Sequence, residues 1–146
     1  MADTAKFYGQ AFVCAFNKEI DFNSDTIKAM LTTSSYTPDR DVHKYKSDVT
    51  NEVSGTGYTA GGLTLANCTI SYDSTTHTLK LDCDDFSWGT SATFTARNLV
   101  VYDATPGSDA TRPLIMYVNF NADIPVTSST FSSTVNAGGL CTVTIS

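Results

Sequence analysis

Three kinds of residue in this chain have the chemistry for catalysis or metal binding: two histidines, an aspartate cluster and four cysteines. A serine nucleophile needs a base within hydrogen-bond reach. His43 and His77 both lie in polar segments that read as solvated loops, and the chain has no G-x-S-x-G elbow. Asp82, Asp84 and Asp85 gather at the end of a strand-like run. Charge at such a place reads as a solvated edge that discourages edge-to-edge pairing, with a calcium site as the sharper alternative. Glycosidase chemistry requires a placed second carboxylate, which the spacing does not supply. Cys14, Cys68, Cys83 and Cys141 stand too far apart for a C-x-x-C knuckle and read as small thiols rather than zinc ligands. The glycine-rich run Gly55-Thr56-Gly57-Tyr58 with Gly61-Gly62 lacks the lysine ending of a phosphate loop and reads as structural. Trp88 beside Gly89 has the surface to stack on a sugar, but one tryptophan at a strand end is more often an anchor in a core or an interface. No residue is therefore assigned a catalytic, cofactor-binding or metal role.

The elements that would position these residues follow from periodicity. Tyr8, Phe12 and Phe16 recur at intervals of four within residues 5–18, a helical stripe. Gly9 weakens that helix by up to ~1 kcal/mol relative to alanine. Residues 26–33 alternate Ile27, Ala29 and Leu31, which suits a strand, while Asn23, Ser24 or Asp25 could instead cap a helix; the threonine-rich end favours the strand. In residues 39–48, Asp39 or Asp41 is expected to cap a single helical turn that carries Val42 and Tyr45 inward. A β-hairpin is predicted over 68–84, because Ile70 and Tyr72 alternate with polar residues and so do Leu79 and Leu81. If its turn centres between Thr75 and Thr76, Cys68 faces Cys83. A bridge there would stabilise the hairpin by about 3 kcal/mol on a chain-entropy account, but strained cross-strand geometry and a reducing cytosol both oppose it.

Further strands are expected through Phe94, Ala96 and then Val100 or Tyr102, through Leu114, Met116, Val118 and Phe120, and at the C-terminus. Turns are expected at Ser87–Thr90, Pro106–Asp109, Asn121–Pro125 and Asn136–Gly139. Strands at this spacing predict a mainly β fold: an antiparallel β-sandwich or jelly-roll-like barrel, with one or two short helices near the N-terminus. Residues 1–146 read as a single domain.

Composition narrows the partners. The chain is 41% hydrophobic and 16% charged, so it can bury a core and does not read as disordered. Its net charge is −6, and its nine Lys and Arg residues form no patch, which argues against nucleic acid and against an anionic membrane surface. No apolar stretch approaches the ~18 residues of a membrane helix. The N-terminal segment has neither a basic start nor an apolar run, so folding in a cytosol is expected.

One long stretch is more specific than composition. It runs through Asp25-Thr26-Ile27-Lys28 and Leu31-Thr32-Thr33-Ser34-Ser35-Tyr36-Thr37-Pro38 to Asp48-Val49-Thr50-Asn51-Glu52-Val53 and the glycine-rich run ending at Gly62. The similarity carries on through Asp84–Trp88 and Thr95-Ala96-Arg97 to Pro113-Leu114-Ile115, and is looser after Asp123. In these residues the chain resembles a widespread group of small tailed-bacteriophage virion proteins, of the capsid cement or decoration kind. Cys68 and Cys83 depart from the group, where residues such as lysine and alanine are expected.

The resemblance implies a structural protein without cofactors, on the head surface of a virion and in the host cytoplasm during assembly. Its implied partner is the major capsid protein, and a homo-oligomer is expected, with a trimer favoured at local three-fold positions. A tail or fibre module that binds host-surface glycans is the rival. Phe7, Tyr8, Phe12, Phe16, Tyr36 and Trp88 are the expected interface residues, the alternative being that the helix bearing the first four simply packs on its own sandwich. Pro38, Gly55, Gly57, Gly61, Gly62, Cys68 and Cys83 are the expected structural ones.

Overall fold

A computed structural model describes residues 4–146; Met1–Asp3, the start of the expected domain, lie outside the described residues. The protein is mainly β, with antiparallel pairing and one short α-helix near the N-terminus. Strand β1 (Thr4–Phe7) leads into helix α1 (Gly9–Phe16), followed by β2 (Ile27–Thr32), a 3-10 turn at Lys46–Asp48 and β3 (Leu63–Thr64). The hairpin strands β4 (Thr69–Asp73) and β5 (Thr78–Asp82) come next, then β6 (Phe86–Asp103), β7 (Leu114–Ser133) and β8 (Cys141–Thr144). Two sheets result, in the orders β1-β7-β6-β2-β3 and β4-β5-β8.

The five-stranded sheet is buried on both faces at its centre, because its strands carry apolar residues on both sides of the pleat. On one face, Ala29, Leu31, Leu99, Val101 and Met116 pack toward Leu81, Cys83 and Cys141 of the smaller sheet. On the other, Met30, Val100, Tyr102, Leu114 and Tyr117 pack under Tyr8 and Tyr36. Bulges set which residue faces which way. From Ala96 to Asn98 β6 takes two steps, while β7 takes five from Ile124 to Asn119. The expected continuation of the Phe94 and Ala96 face through Val100 or Tyr102 is therefore corrected: Leu99 and Val101 join that core, and Val100 and Tyr102 join the opposite one.

Other expectations are corrected as well. Ser87–Thr90 is not a turn but part of β6, where Trp88 pairs with Phe131 and Gly89 takes φ 44 inside a bulge. Asn121–Pro125 is not a turn either. It lies within β7, with Asn121 at φ 62 taking up the irregularity. β1 covers only Met116–Asn119 of β7, so Pro125 sits on a free edge, the position in a sheet that tolerates proline. Residues 5–7 are strand rather than helix, and Gly9 is the first residue of α1 rather than its middle. Residues 39–43 form a turn in which the Asp39 carboxylate accepts the N–H groups of Asp41 and Val42. Val42 points to solvent, not inward.

Candidate interaction surface

The helix that was expected to carry the aromatic stripe divides it. Tyr8 stands at the N-cap of α1, where its side chain makes no bond to the helix N–H groups, and is buried together with Ala11 and Cys14. Phe7 is half-buried in β1 and packs on Phe12, their ring centroids 5.1 Å apart. Phe12, Val13 and Phe16 face outward, and Phe16 is 89% exposed. Below them opens an apolar groove of about 760 Å³. Phe12 and Phe16 form one wall, and Ile70, Leu79 and Val143 of the smaller sheet form the other, with Ile115 and Phe22 also lining it. Ile70 and Ile145 extend its exposed apolar edge. Apolar surface concentrated in one concave place is the usual mark of a contact surface.

Three of the expected interface residues are elsewhere. Tyr8, Tyr36 and Trp88 are buried, so none is available to a partner. Trp88, 2% exposed, stacks near Tyr58 and meets Phe86 and Phe131 edge-on. Its reading as a core anchor holds, and stacking on a sugar does not. Tyr36 joins a buried chain of polar groups. The Asp39 N–H donates to Nδ1 of His43 at 3.2 Å, so this nitrogen is an acceptor. The Tyr36 hydroxyl, 3.0 Å away, donates to it and accepts from the Tyr8 hydroxyl at 3.0 Å. Burial pushes the Tyr36 phenol up to about 12 and the Tyr8 phenol far above its ordinary range. Phenols so hard to ionise tie the 33–43 segment onto the sheet and have no proton to give near neutral pH. His43 is thus a half-buried structural partner, not the solvated loop residue expected. His77 remains exposed, beside Tyr72.

The glycine-rich run is internally bonded. Tyr58 donates to Glu52 at 2.7 Å and accepts the Leu31 N–H at 3.1 Å, while the Gly61 N–H reaches the same Glu52 carboxylate. Gly57, Gly61 and Gly62 all hold left-handed φ values. At Gly62 a Cβ would stand 1.9 Å from the Ala29 carbonyl oxygen, so no side chain fits. Gly55 lies against Thr93, across the Thr56–Thr93 bridge. Pro38 is half-buried just after Tyr36, whose carbonyl accepts from Asn98.

The aspartates do not converge. Asp82 pairs with Lys80, Asp84 accepts from Asn67, and Asp85 accepts the Val135 N–H. Among the described residues, no three His, Cys, Asp or Glu side chains gather closely enough to hold a metal ion. No helix there is long and apolar enough to cross a membrane.

The outward turn of Phe12 and Phe16 was beyond sequence reasoning. The stripe was visible, but which half of it the sheet would cover depends on where β1 ends and α1 begins. Comparison with protein-family profiles, curated proteins and solved structures returns no match for this chain.

Proposed function

We propose that the protein is a non-enzymatic structural component of a tailed-phage virion, a cement subunit that stabilises the head shell. The observation that carries this reading is the division of labour within the chain. The residues that resemble the phage group, Tyr36, Glu52, Tyr58, Gly61 and Gly62, are taken up in packing and hydrogen bonds within the fold. The exposed chemistry left over is apolar and concave, at Phe12, Val13, Phe16 and the groove beside them. Such a surface suits protein contact, and a cement subunit needs many equivalent weak contacts.

The proposed partners are the major capsid protein and further copies of this chain, as a trimer at local three-fold positions. Its place is the outside of the head, after assembly in host cytoplasm. The rival, a tail or fibre module that binds glycans, would use Trp88 and tyrosines in a groove. The burial of Trp88, Tyr8 and Tyr36 disfavours it. Sedimentation of the purified protein with heads that lack it tests the proposal. Saturable binding, abolished by Phe16→Ser in a protein that still folds, is the expected result. No binding to heads, or equal binding by the variant, would overturn it.

A further inference from the structure

The cysteine pair at the base of the β4–β5 hairpin has a geometry that its sequence symmetry alone did not establish. Thr69 pairs with Asp82 and Ile70 with Leu81. The Leu81 carbonyl accepts from Leu140, toward β8, and the Ile70 N–H donates to the Asn23 side chain, away from β5. The Ile70–Leu81 backbones therefore turn away from each other, which makes this a non-hydrogen-bonded pair. The ladder ends at Thr69–Asp82; antiparallel pairs alternate in type, so its register carried one step further makes Cys68–Cys83 a pair of the same type. One further bond agrees: the Cys83 N–H goes to its neighbour Asp82 rather than across to Cys68. Just beyond the pair the chain leaves the register, since Asn67 holds φ 53 and the Asp84 N–H reaches the Ala66 carbonyl. Non-hydrogen-bonded pairs bring Cα atoms to roughly 4.5 Å and Cβ atoms to roughly 4.5–5.5 Å. The Cα spacing falls inside the range of a disulfide, and the Cβ atoms need only a small approach. The strain expected of a cross-strand bridge is least at this kind of position.

The other thiols are worse partners. Cys141 pairs with Leu81, so it is diagonal to Cys83, at roughly 7–8 Å between strands. Cys14 lies buried on α1. Both members of the pair are free thiols, Cys83 buried and Cys68 half-buried, the more accessible of the two.

We propose that Cys68 and Cys83 are a redox-modification site, closing to a cross-strand disulfide when the folded protein meets a small disulfide oxidant such as glutathione disulfide. Cys68 loses its proton to solvent, and its thiolate attacks one sulfur of the oxidant. The oxidant's S–S bond breaks, and one glutathione leaves as a thiolate that takes up a proton. Cys83, deprotonated in turn, attacks the Cys68 sulfur of the mixed disulfide and releases the second glutathione. Two protein thiols are oxidised by two electrons, and one glutathione disulfide is reduced to two thiols. Burial, and behind it Cys68 and the carboxylates of Asp82, Asp84 and Asp85, push the Cys83 thiol up to about 12; burial also raises Cys68. Closure is therefore slow at neutral pH and faster in mild alkali. The bond would fasten the hairpin that carries Ile70 and Leu79 into the apolar groove. It stands whether or not the protein belongs to a virion.

The test is oxidation of the full folded chain in glutathione disulfide at mildly alkaline pH, then alkylation, tryptic digestion and mass spectrometry. Cys68 lies in the fragment 47–80 and Cys83 in 81–97, so the bond joins two peptides. The expected result is that linked pair as the dominant product, with Cys14 and Cys141 still alkylated. Cys83→Ser should abolish the link and leave Cys68 glutathionylated. The wild-type product decides the matter even if that variant folds poorly. Glutathionylated Cys68 beside an alkylated Cys83 in the wild type, or a mixture of pairings, would overturn the proposal.

Discussion

Asp103→Asn should stabilise the protein at pH 8 relative to its effect at pH 4. Asp103 ends β6 and is fully buried, with 0% exposure. One carboxylate oxygen accepts the Thr105 N–H at 2.8 Å, and the other has no hydrogen-bond partner among the described residues. Burial pushes its pKa up, the hydrogen bonds from Thr105 pull it back, and the neighbouring Asp25 carboxyl adds to the rise, leaving it at about 6 against an ordinary 3.8. The folded state thus holds this proton more tightly than the unfolded one. The stability that follows is fully present well below pH 4 and is lost as pH rises toward and through 6. The full loss is the shift of about two pKa units at 1.36 kcal/mol each, or about 3 kcal/mol. Asparagine keeps the acceptor for Thr105 and cannot ionise, so it removes this dependence. Asp48, Asp73 and Asp109, held low by their hydrogen-bond partners against any burial, are common to both proteins and cancel in the difference. Urea unfolding followed by the fluorescence of buried Trp88 at a series of pH values gives that difference directly. Part of that loss has already occurred at pH 4, so the variant's advantage should grow by about 2 kcal/mol from pH 4 to pH 8. An advantage that stays constant, or a wild type that gains on the variant as pH rises, would refute the reasoning.

Other outcomes follow from the same structure. Gly62→Ala should lose more than about 2 kcal/mol of stability or fail to fold, because its Cβ would meet the Ala29 carbonyl. Gly107→Ala, with nothing within 4 Å, should stay within about 0.5 kcal/mol of wild type in the same denaturation assay. Tyr36→Phe should cost about 1–3 kcal/mol, since it breaks the chain from Tyr8 to His43 and strands a buried hydroxyl. Phe16→Ser should leave the unfolding midpoint unchanged, because the ring is almost wholly in solvent and any loss should appear in association alone.

The hairpin at 68–84 was legible because its residues alternate cleanly and its turn is short; the observed register is the one its symmetry predicts. The glycine-rich run was legible as structure for a related reason, since left-handed positions select glycine whatever the tertiary context. The long strands were not. Ser87-Trp88-Gly89-Thr90 and Asn121–Pro125 carry turn-forming residues, yet a long partner strand absorbs them as bulges instead of breaks. Local propensity cannot reveal that partner. The same limit explains the misplaced tyrosines. Tyr8 and Tyr36 are 28 residues apart and meet only because β1 and the 33–43 segment converge on one face of the sheet. His43 was misread with them, as its acceptor role depends on that meeting. At the candidate surface the aromatic types were visible, but their division between core and solvent was set by the packing of α1.

A cryo-electron microscopy map of particles assembled from the genome that encodes this chain tests the proposed cement role most directly. The account predicts density for this two-sheet fold on the outer face of the head, clustered at local three-fold positions, with Phe12 and Phe16 covered by protein. Density for the fold at the tail tip or fibres, or a particle that lacks the chain, would contradict it.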